Sequence, residues 1–122
     1  TVQVPPNVRL TGFLSEHDYE DLLRGADIVV DLTAMENCLV CGAYEAVAVE
    51  RPLVTSDTRA LRAYFNRGTV YTAHTAQSLA TAIRYALGER PRLAAEMKVL
   101  KLELARDWAR QGDGLRRLVG LG

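Results

Sequence analysis

The chain has 122 residues, of which 48% are hydrophobic and 25% are charged, which is enough for one compact domain and too few for two. Fifteen basic and fifteen acidic residues give a formal net charge of zero, which argues against nucleic acid or an anionic membrane surface as a partner. Apolar runs such as Ile28 to Val30 are far shorter than the roughly 18 to 20 residues of a membrane-spanning helix.

The N-terminus and the cysteine content bear on where the protein works. The sequence starts at Thr1 and shows no signal peptide, so we expect it to be processed or cut out of a longer chain. Two cysteines are too few for a disulfide scaffold. A cytoplasmic protein is the natural expectation.

The first 32 residues predict a strand, a helix and a second strand. The run Val8 to Leu14 follows two prolines and has the alternating pattern of a strand. Ser15 offers a hydroxyl N-cap to a short helix, which Gly25 closes. The near-continuous apolar run Ala26 to Leu32 predicts a strand that is covered on both faces. The predicted buried face of the helix contains Tyr19, Leu22 and Leu23.

The same alternation continues to residue 88. The next predicted elements are a helix at Gly42 to Val49, a strand at Pro52 to Ser56, a helix at Arg59 to Phe65, a strand at Thr69 to Ala73 and a helix at Ala76 to Leu87. Strands separated by helices pair in parallel through right-handed crossovers. The sequence therefore predicts an α/β fold with an open parallel, Rossmann-like sheet of about four strands and helices on both faces.

From Arg90 the pattern becomes that of one long helix. A core-facing stripe is predicted from apolar residues at spacings of four, three, four and four, namely Leu93, Met97, Leu100, Leu104 and Trp108. The glycines of Gly112-Asp113-Gly114 are expected to end this helix before a short tail. We expect one domain over residues 1–122, with a core in 1–88 and the long helix and tail in 89–122.

The loop between the second predicted strand and the next helix is the predicted ligand site. In open parallel sheets, ligands bind beyond the carboxyl ends of the strands. The helix that follows presents free N–H groups and the positive end of its dipole, so an anion is the expected ligand. Glu36 and Glu45 are placed so that one carboxylate would lie on each side of a bound phosphate.

Both cysteines lie in this loop and allow three interpretations. Cys38 and Cys41 form a Cys-x-x-Cys pair at a helix N-terminus, as in thioredoxins, although the sequence shows no hairpin signal of the thioredoxin sheet. A zinc site would need further ligands, and the histidines His17 and His74 lie in separate loops. The third interpretation is that two small side chains pack a tight turn.

Four segments in order resemble the C-terminal, donor-binding domain of retaining GT-B glycosyltransferases of the glycosyltransferase group 1 family. The segments are Asn7 to Ser15, Leu22 to Val30, Glu36 to Ala48 and Arg51 to Ser56. The resemblance covers about residues 7–87, and Trp108 is similar to a late tryptophan of that family. The sequence begins at what would be the family's third strand, so the resemblance implies an incomplete GT-B C-terminal domain that is inactive alone.

The resemblance also implies roles for the two glutamates. In that family, two glutamates separated by seven residues bracket a nucleotide-sugar donor, the first at the sugar and the second at the ribose hydroxyls. Glu45 matches the second. Eight residues separate Glu36 from Glu45, whereas Asn37 has the family's spacing of seven. We expect Glu36 to take the first position through a one-residue bulge, with Asn37 as the alternative.

The other donor contacts follow from the same resemblance. The backbone that would hold the diphosphate belongs to Cys38, Leu39, Val40, Cys41 and Gly42. Gly12, Phe13 and Leu14 would lie against the nucleobase, although Phe13 has the alternative of a core position. The implied reaction is a sugar transfer with retention, without a cofactor and without a metal ion.

Two further expectations concern partners. A non-catalytic interaction module that keeps the fold is the main alternative to the donor half of a glycosyltransferase, and redox chemistry is a further one. The strands missing relative to the family would leave the sheet edge unpaired, so the chain either closes into a compact monomer or pairs with a second copy. We expect the homodimer, beside a missing N-terminal acceptor domain or partner chain.

Overall fold

A computed structural model describes residues 3–118 and residue 120. Within these residues the chain forms five helices and three strands. In chain order they are α1 (Glu16–Gly25), β1 (Val29–Asp31), α2 (Cys41–Ala48), β2 (Leu53–Ser56), α3 (Arg59–Tyr64), β3 (Thr69–Thr72), α4 (Ala76–Gly88) and α5 (Arg90–Leu118).

The three strands form an open parallel sheet in the order β1-β2-β3. Val54 of β2 pairs with Val30 of β1 on one side and with Val70 of β3 on the other. Helices follow each strand, as parallel crossovers require. The predicted α/β class with a Rossmann-like parallel sheet is confirmed.

The central strand β2 separates two apolar clusters. Successive strand residues point to opposite faces of the sheet, so Leu53 and Val54 enter different clusters. Leu53 packs with residues of α2, α3 and α5, including Ala46 and Leu61. Val54 packs with Ala82 of α4 and with other residues of α4 and α5. Helices therefore cover both faces of the sheet, as the sequence predicts.

The predicted first strand, Val8 to Leu14, does not form. Leu10 is 64% exposed and Phe13 is fully exposed. A strand needs backbone partners and a surface to cover, and in the part of the chain that the structure describes β1 pairs only with β2. The prediction of this strand is wrong, and the sheet has three strands instead of about four.

Helix α1 has the predicted ends but not the predicted buried face. The Ser15 hydroxyl accepts a hydrogen bond from the Asp18 backbone N–H at 3.1 Å, and the helix ends at Gly25. No residue of α1 is buried, and Tyr19 and Leu22 are half-exposed. The predicted first strand does not form, so it supplies no surface for this helix to cover.

Strand β1 is shorter than predicted, and as an edge strand it leaves Val30 exposed.

Helix α5 packs on the core in its first half, where partly buried Leu104 is the last residue to contact the core cluster. Leu93, Met97 and Leu100 are buried, which confirms the start of the predicted stripe. Trp108 is 78% exposed and is not a core residue, because this part of the helix extends beyond the buried core. The helix also continues through the glycines of 112–114, where the prediction of a break is wrong, since a helical glycine costs only about 1 kcal/mol relative to alanine. None of the helices in residues 3–118 combines the length and the apolar character that crossing a membrane demands.

Gly68, just before β3, lets α5 approach the sheet closely. Its φ is +66°, a conformation that favours glycine, and a Cβ atom there would lie 2.5 Å from Met97 Cγ and 2.8 Å from the Leu93 carbonyl oxygen. Its backbone N–H donates to Glu96 Oε1 at 2.9 Å. The docking of α5 therefore depends on a glycine at this position.

Candidate functional site

The loops that follow the three strands surround an open cleft of about 450 Å³. Its polar lining includes Thr33 and Glu36 after β1, Ser56 and Asp57 at the end of β2, and His74 after β3. This is the carboxyl edge of the sheet, where parallel folds bind ligands. The structure thus brings Glu36, a predicted site residue, into a cleft at the predicted edge.

Ser56, at the end of β2, contacts the loops that follow β1 and β3. Its hydroxyl is buried and accepts a hydrogen bond from the Thr33 backbone N–H at 2.8 Å. The same oxygen lies 2.6 Å from His74 Nε2. Ser56 and His74 are functional candidates that the sequence interpretation missed. The available signal was a polar residue at the last position of an apolar strand and a histidine shortly after the next strand.

The charge of Asp57, just after β2, is neutralised by Arg62 of α3. Asp57 and the Arg62 guanidinium form an ion pair, in which Arg62 Nη2 donates to Asp57 Oδ2 at 3.1 Å. This hydrogen bond from Arg62 holds the pKa of Asp57 below its ordinary value. Arg62 also stacks over the Tyr71 ring at 4.3 Å from the centroid. The positive charge of Arg62 is therefore paired with groups of the protein itself.

The N-terminus of α2, the predicted anion site, contacts a carboxylate of the protein itself. Val40 precedes the helix and provides no side-chain cap. Instead, Asp31 Oδ2 at the end of β1 accepts a hydrogen bond from the Gly42 backbone N–H at 2.8 Å. A Cβ atom at Gly42 would lie 2.5 Å from that oxygen, so the close approach requires glycine. The predicted diphosphate contact by Cys38 to Gly42 stays a prediction.

Glu45 lies on α2 and is held by a residue of α1. The Tyr19 hydroxyl donates a hydrogen bond to Glu45 Oε2, and this bond is the main cause of a raised pKa at Tyr19. Burial and the nearby charges of Glu45 and Asp31 raise it further. Glu45 itself is half-buried. Tyr19, which the sequence interpretation placed on a buried helix face, is in fact a partner of the second predicted glutamate.

The two candidates for the first acidic position lie in different surroundings. Glu36 lines the cleft at the carboxyl edge of the sheet. Asn37 lines a separate shallow cleft beside α3, together with Leu39, Ala63 and other residues. Both are exposed. Of the two, only Glu36 faces the loops that follow β2 and β3.

The predicted nucleobase contacts lie before α1. Phe13 is fully exposed, which overturns the alternative that it belongs to the core. Gly12 is exposed with a φ of +62°, and Leu14 is half-buried. A contact between these residues and a nucleobase stays a prediction.

The two cysteines of the loop are both free thiols. Cys38 is half-buried and packs against the cluster that contains Leu53, whereas Cys41 is exposed. Contact with the core is what the packing interpretation predicts for Cys38. In residues 3–118, no three side chains of the types His, Cys, Asp and Glu come together in a way that would hold a metal ion.

Comparison with known proteins places the chain in a family. A family model described as "Glycosyl transferase-like" matches residues 2–111. Neither the curated proteins nor the solved structures contain a match to the chain. The matched segment includes all three strands, the cleft at their carboxyl edge and both predicted glutamates. The chain therefore belongs to the glycosyl transferase-like family, whose role is the transfer of glycosyl groups.

Proposed function

We propose that the chain is the donor-binding part of a GT-B glycosyltransferase that moves a sugar from a nucleotide diphosphate to an acceptor with retention. Membership of the glycosyl transferase-like family supports sugar transfer in general. The observation that carries the donor site is the position of Glu36 in the cleft at the carboxyl ends of all three strands, with Glu45 on the helix that follows. Both carboxylates thus lie on the loop-helix segment that follows β1, and Glu36 lines the cleft at the edge where parallel folds bind ligands.

Glu45 is proposed to bind the ribose. A ribose ring offers two vicinal hydroxyls, and a carboxylate can accept a charge-assisted hydrogen bond from each of them. Tyr19 occupies one acceptor position of Oε2. Because a carboxylate has about four such positions, Oε1 and the rest of Oε2 remain available.

Glu36 is proposed to contact the donor sugar near the reacting carbon. It is exposed in the cleft and shares that cleft with exposed His74, whose imidazole is a suitable hydrogen-bonding partner for a sugar hydroxyl. Asn37 lies beside α3 instead, which favours Glu36 for this role. This role requires the one-residue bulge in the loop, which stays a prediction.

The leaving diphosphate needs positive charge that the cleft does not contain. The residues that line the cleft in the described part of the chain include neither lysine nor arginine. Asp31 also takes the Gly42 N–H, which would otherwise be free to bind a phosphate oxygen. Sugar transfer requires stabilisation of the growing negative charge on the leaving group. We therefore propose that this chain binds the donor and that turnover needs basic groups and an acceptor site from another domain or chain. The proposed reaction uses neither a metal ion nor a cofactor.

Self-association is the second part of this proposal. Among the described strands, β1 pairs with β2 on one edge only. Its residue Val30 is 42% exposed, and Leu32, which follows the strand, is 37% exposed. An unpaired apolar edge strand favours pairing with another chain. Size exclusion coupled to light scattering at micromolar concentration should give the mass of two chains. The mass of one chain across a hundredfold dilution would contradict the homodimer.

Melting experiments with nucleotides test donor binding. The protein is melted alone and with UDP, GDP, ADP and dTDP and their sugar conjugates, and inorganic pyrophosphate controls for unspecific anion binding. A ligand at a hundred times its dissociation constant adds about 2.7 kcal/mol to the free energy of unfolding, which raises Tm measurably. We expect a shift with one nucleotide and its sugar but not with pyrophosphate. No shift with any nucleotide would contradict the proposal and favour a non-catalytic interaction module.

A further inference from the structure

The contact between Tyr19 and Glu45 joins two helices that share little else. The Tyr19 hydroxyl donates to Glu45 Oε2 across 26 positions of the sequence. No residue of α1 is buried, and Tyr19 itself is 45% exposed. The tyrosine is therefore not fixed there by core packing, and its hydroxyl makes a specific polar contact.

This contact removes rotational freedom from the carboxylate. A glutamate side chain that is not fully buried samples several rotamers, and fixing them on binding lowers affinity. Tyr19 holds Oε2, whereas Oε1 accepts no hydrogen bond from any residue that the structure describes. The carboxylate of Glu45 is thus held in place before any ligand arrives, with one oxygen available.

A second carboxylate, that of Asp31, is close enough to act on the Tyr19 hydroxyl. The charges of both Glu45 and Asp31 act on the Tyr19 hydroxyl, and Asp31 caps the same helix that carries Glu45. Each of the two carboxylates has its own hydrogen-bond donor. Asp31 accepts from the Gly42 N–H, and Glu45 accepts from the Tyr19 hydroxyl.

We propose that Tyr19 is a positioning residue of the donor site, which orients the Glu45 carboxylate to accept the vicinal hydroxyls of a nucleoside diphosphate's ribose. This inference rests on the proposed function, because it takes Glu45 as the ribose contact. Tyr19 acts through Glu45, so its effect on affinity depends on the presence of Glu45 and of the ribose hydroxyls.

Calorimetric titration of the Tyr19→Phe variant tests this role. The probe is whichever of UDP, GDP and ADP gives the largest melting shift, together with its 2′,3′-dideoxy analogue. Tyr19→Phe should weaken binding of the ribonucleotide by about three- to tenfold, as for one lost hydrogen bond, and leave binding of the dideoxy analogue unchanged. Tyr85→Phe on α4 removes a hydroxyl that contacts Arg92 and is the matched control, with unchanged affinity for both probes.

The effect of Tyr19→Phe in Glu45→Ala protein distinguishes a positioning role of Tyr19 from a general effect on protein stability. In Glu45→Ala protein, the additional Tyr19→Phe change should have no effect on affinity for the ribonucleotide. An equal loss for ribonucleotide and dideoxy analogue, or wild-type affinity in Tyr19→Phe protein, would overturn the positioning role while leaving Glu45 as the ribose contact. If Glu45→Ala protein itself binds as wild type, or no nucleotide binds, the proposed function fails and the role of Tyr19 fails with it.

Discussion

The Asp31 carboxylate accepts a hydrogen bond from the Gly42 backbone N–H at 2.8 Å, so the last residue of β1 caps helix α2. The first N–H groups of a helix lack partners within it and attract negative charge. Here that charge is supplied by the protein itself, from a position 11 residues earlier in the sequence. The contact fixes the start of α2 relative to the sheet and thereby the position of Glu45.

Removing this cap should destabilise the protein. Asp31→Ala is expected to lower the free energy of unfolding by about 1 kcal/mol, the usual cost of a lost N-cap. Asp31→Asn keeps an oxygen acceptor and should lose less. Urea unfolding of the three proteins measures both changes. Wild-type stability in Asp31→Ala protein would show that the contact does not contribute.

Gly68 should not tolerate a side chain. Gly68→Ala is expected to cost about 2 kcal/mol or more, because a Cβ atom there meets backbone atoms of α5 and the φ of +66° is unfavourable for alanine. Gly88→Ala is the matched control, since a Cβ atom at the end of α4 meets nothing within 4 Å. That variant should be neutral or gain up to about 1 kcal/mol. Equal stability of the two variants in urea unfolding would contradict the packing of α5.

Glu50 has a left-handed backbone conformation that glycine would adopt at lower cost. Its φ is 57°, and it lies just after the end of α2. There the Arg51 backbone N–H donates a hydrogen bond to the Ala46 carbonyl oxygen at 3.0 Å. Glu50→Gly should therefore raise the free energy of unfolding by about 1 kcal/mol. Glu50→Ala keeps the strain and should bring no such gain. A loss of stability in the glycine variant, measured by thermal melting, would refute this interpretation.

The ion pair of Asp57 and Arg62 predicts that the free energy of unfolding depends on pH in the acid range. The hydrogen bond from Arg62 lowers the pKa of Asp57 from its ordinary 3.8. For a lowered folded-state pKa, the stabilisation is present above that ordinary value and is lost as the pH falls through the folded-state value. Both side chains are about half-exposed, so the effect should be small and should weaken with salt.

Melting curves at a series of pH values measure this effect. Asp57→Asn should lower Tm slightly at neutral pH and reduce the fall in Tm between about pH 5 and about pH 2. The difference between variant and wild type should shrink as salt is added. An identical acid dependence of the two proteins would show that the pair does not stabilise the fold.

The sequence predicts those elements that bury their apolar residues within the chain itself. Strands β2 and β3 and helices α2 to α4 lie within one or two residues of their predicted bounds, because each covers or crosses the sheet. The run Val8 to Leu14 and the side chain of Trp108 have the patterns of buried elements, yet they are exposed. A pattern reports which face a segment can bury, but no described residue supplies a surface for these two segments to cover.

The candidate site shows a similar division. The position of the loop between β1 and α2 follows from strand order, and Glu36 lies in the cleft at that edge. The contacts of Asp31 with Gly42, of Ser56 with His74 and of Tyr19 with Glu45 join residues 11, 18 and 26 positions apart. No spacing rule relates such residues. They become neighbours only through the packing of the sheet and the helices, so a single sequence does not indicate them.

The most direct test of the central claim is a calorimetric titration of wild-type and Glu45→Ala protein with the nucleoside diphosphate that raises Tm most, followed by its sugar conjugate. If Glu45 holds the ribose, the variant should bind the nucleotide about 1.5 to 3 kcal/mol more weakly, as for a lost charged hydrogen bond, with its Tm without ligand nearly unchanged. Glu36→Ala should weaken the sugar conjugate more than the free nucleotide. Equal affinity of wild-type and Glu45→Ala protein for both ligands would contradict the donor site on α2.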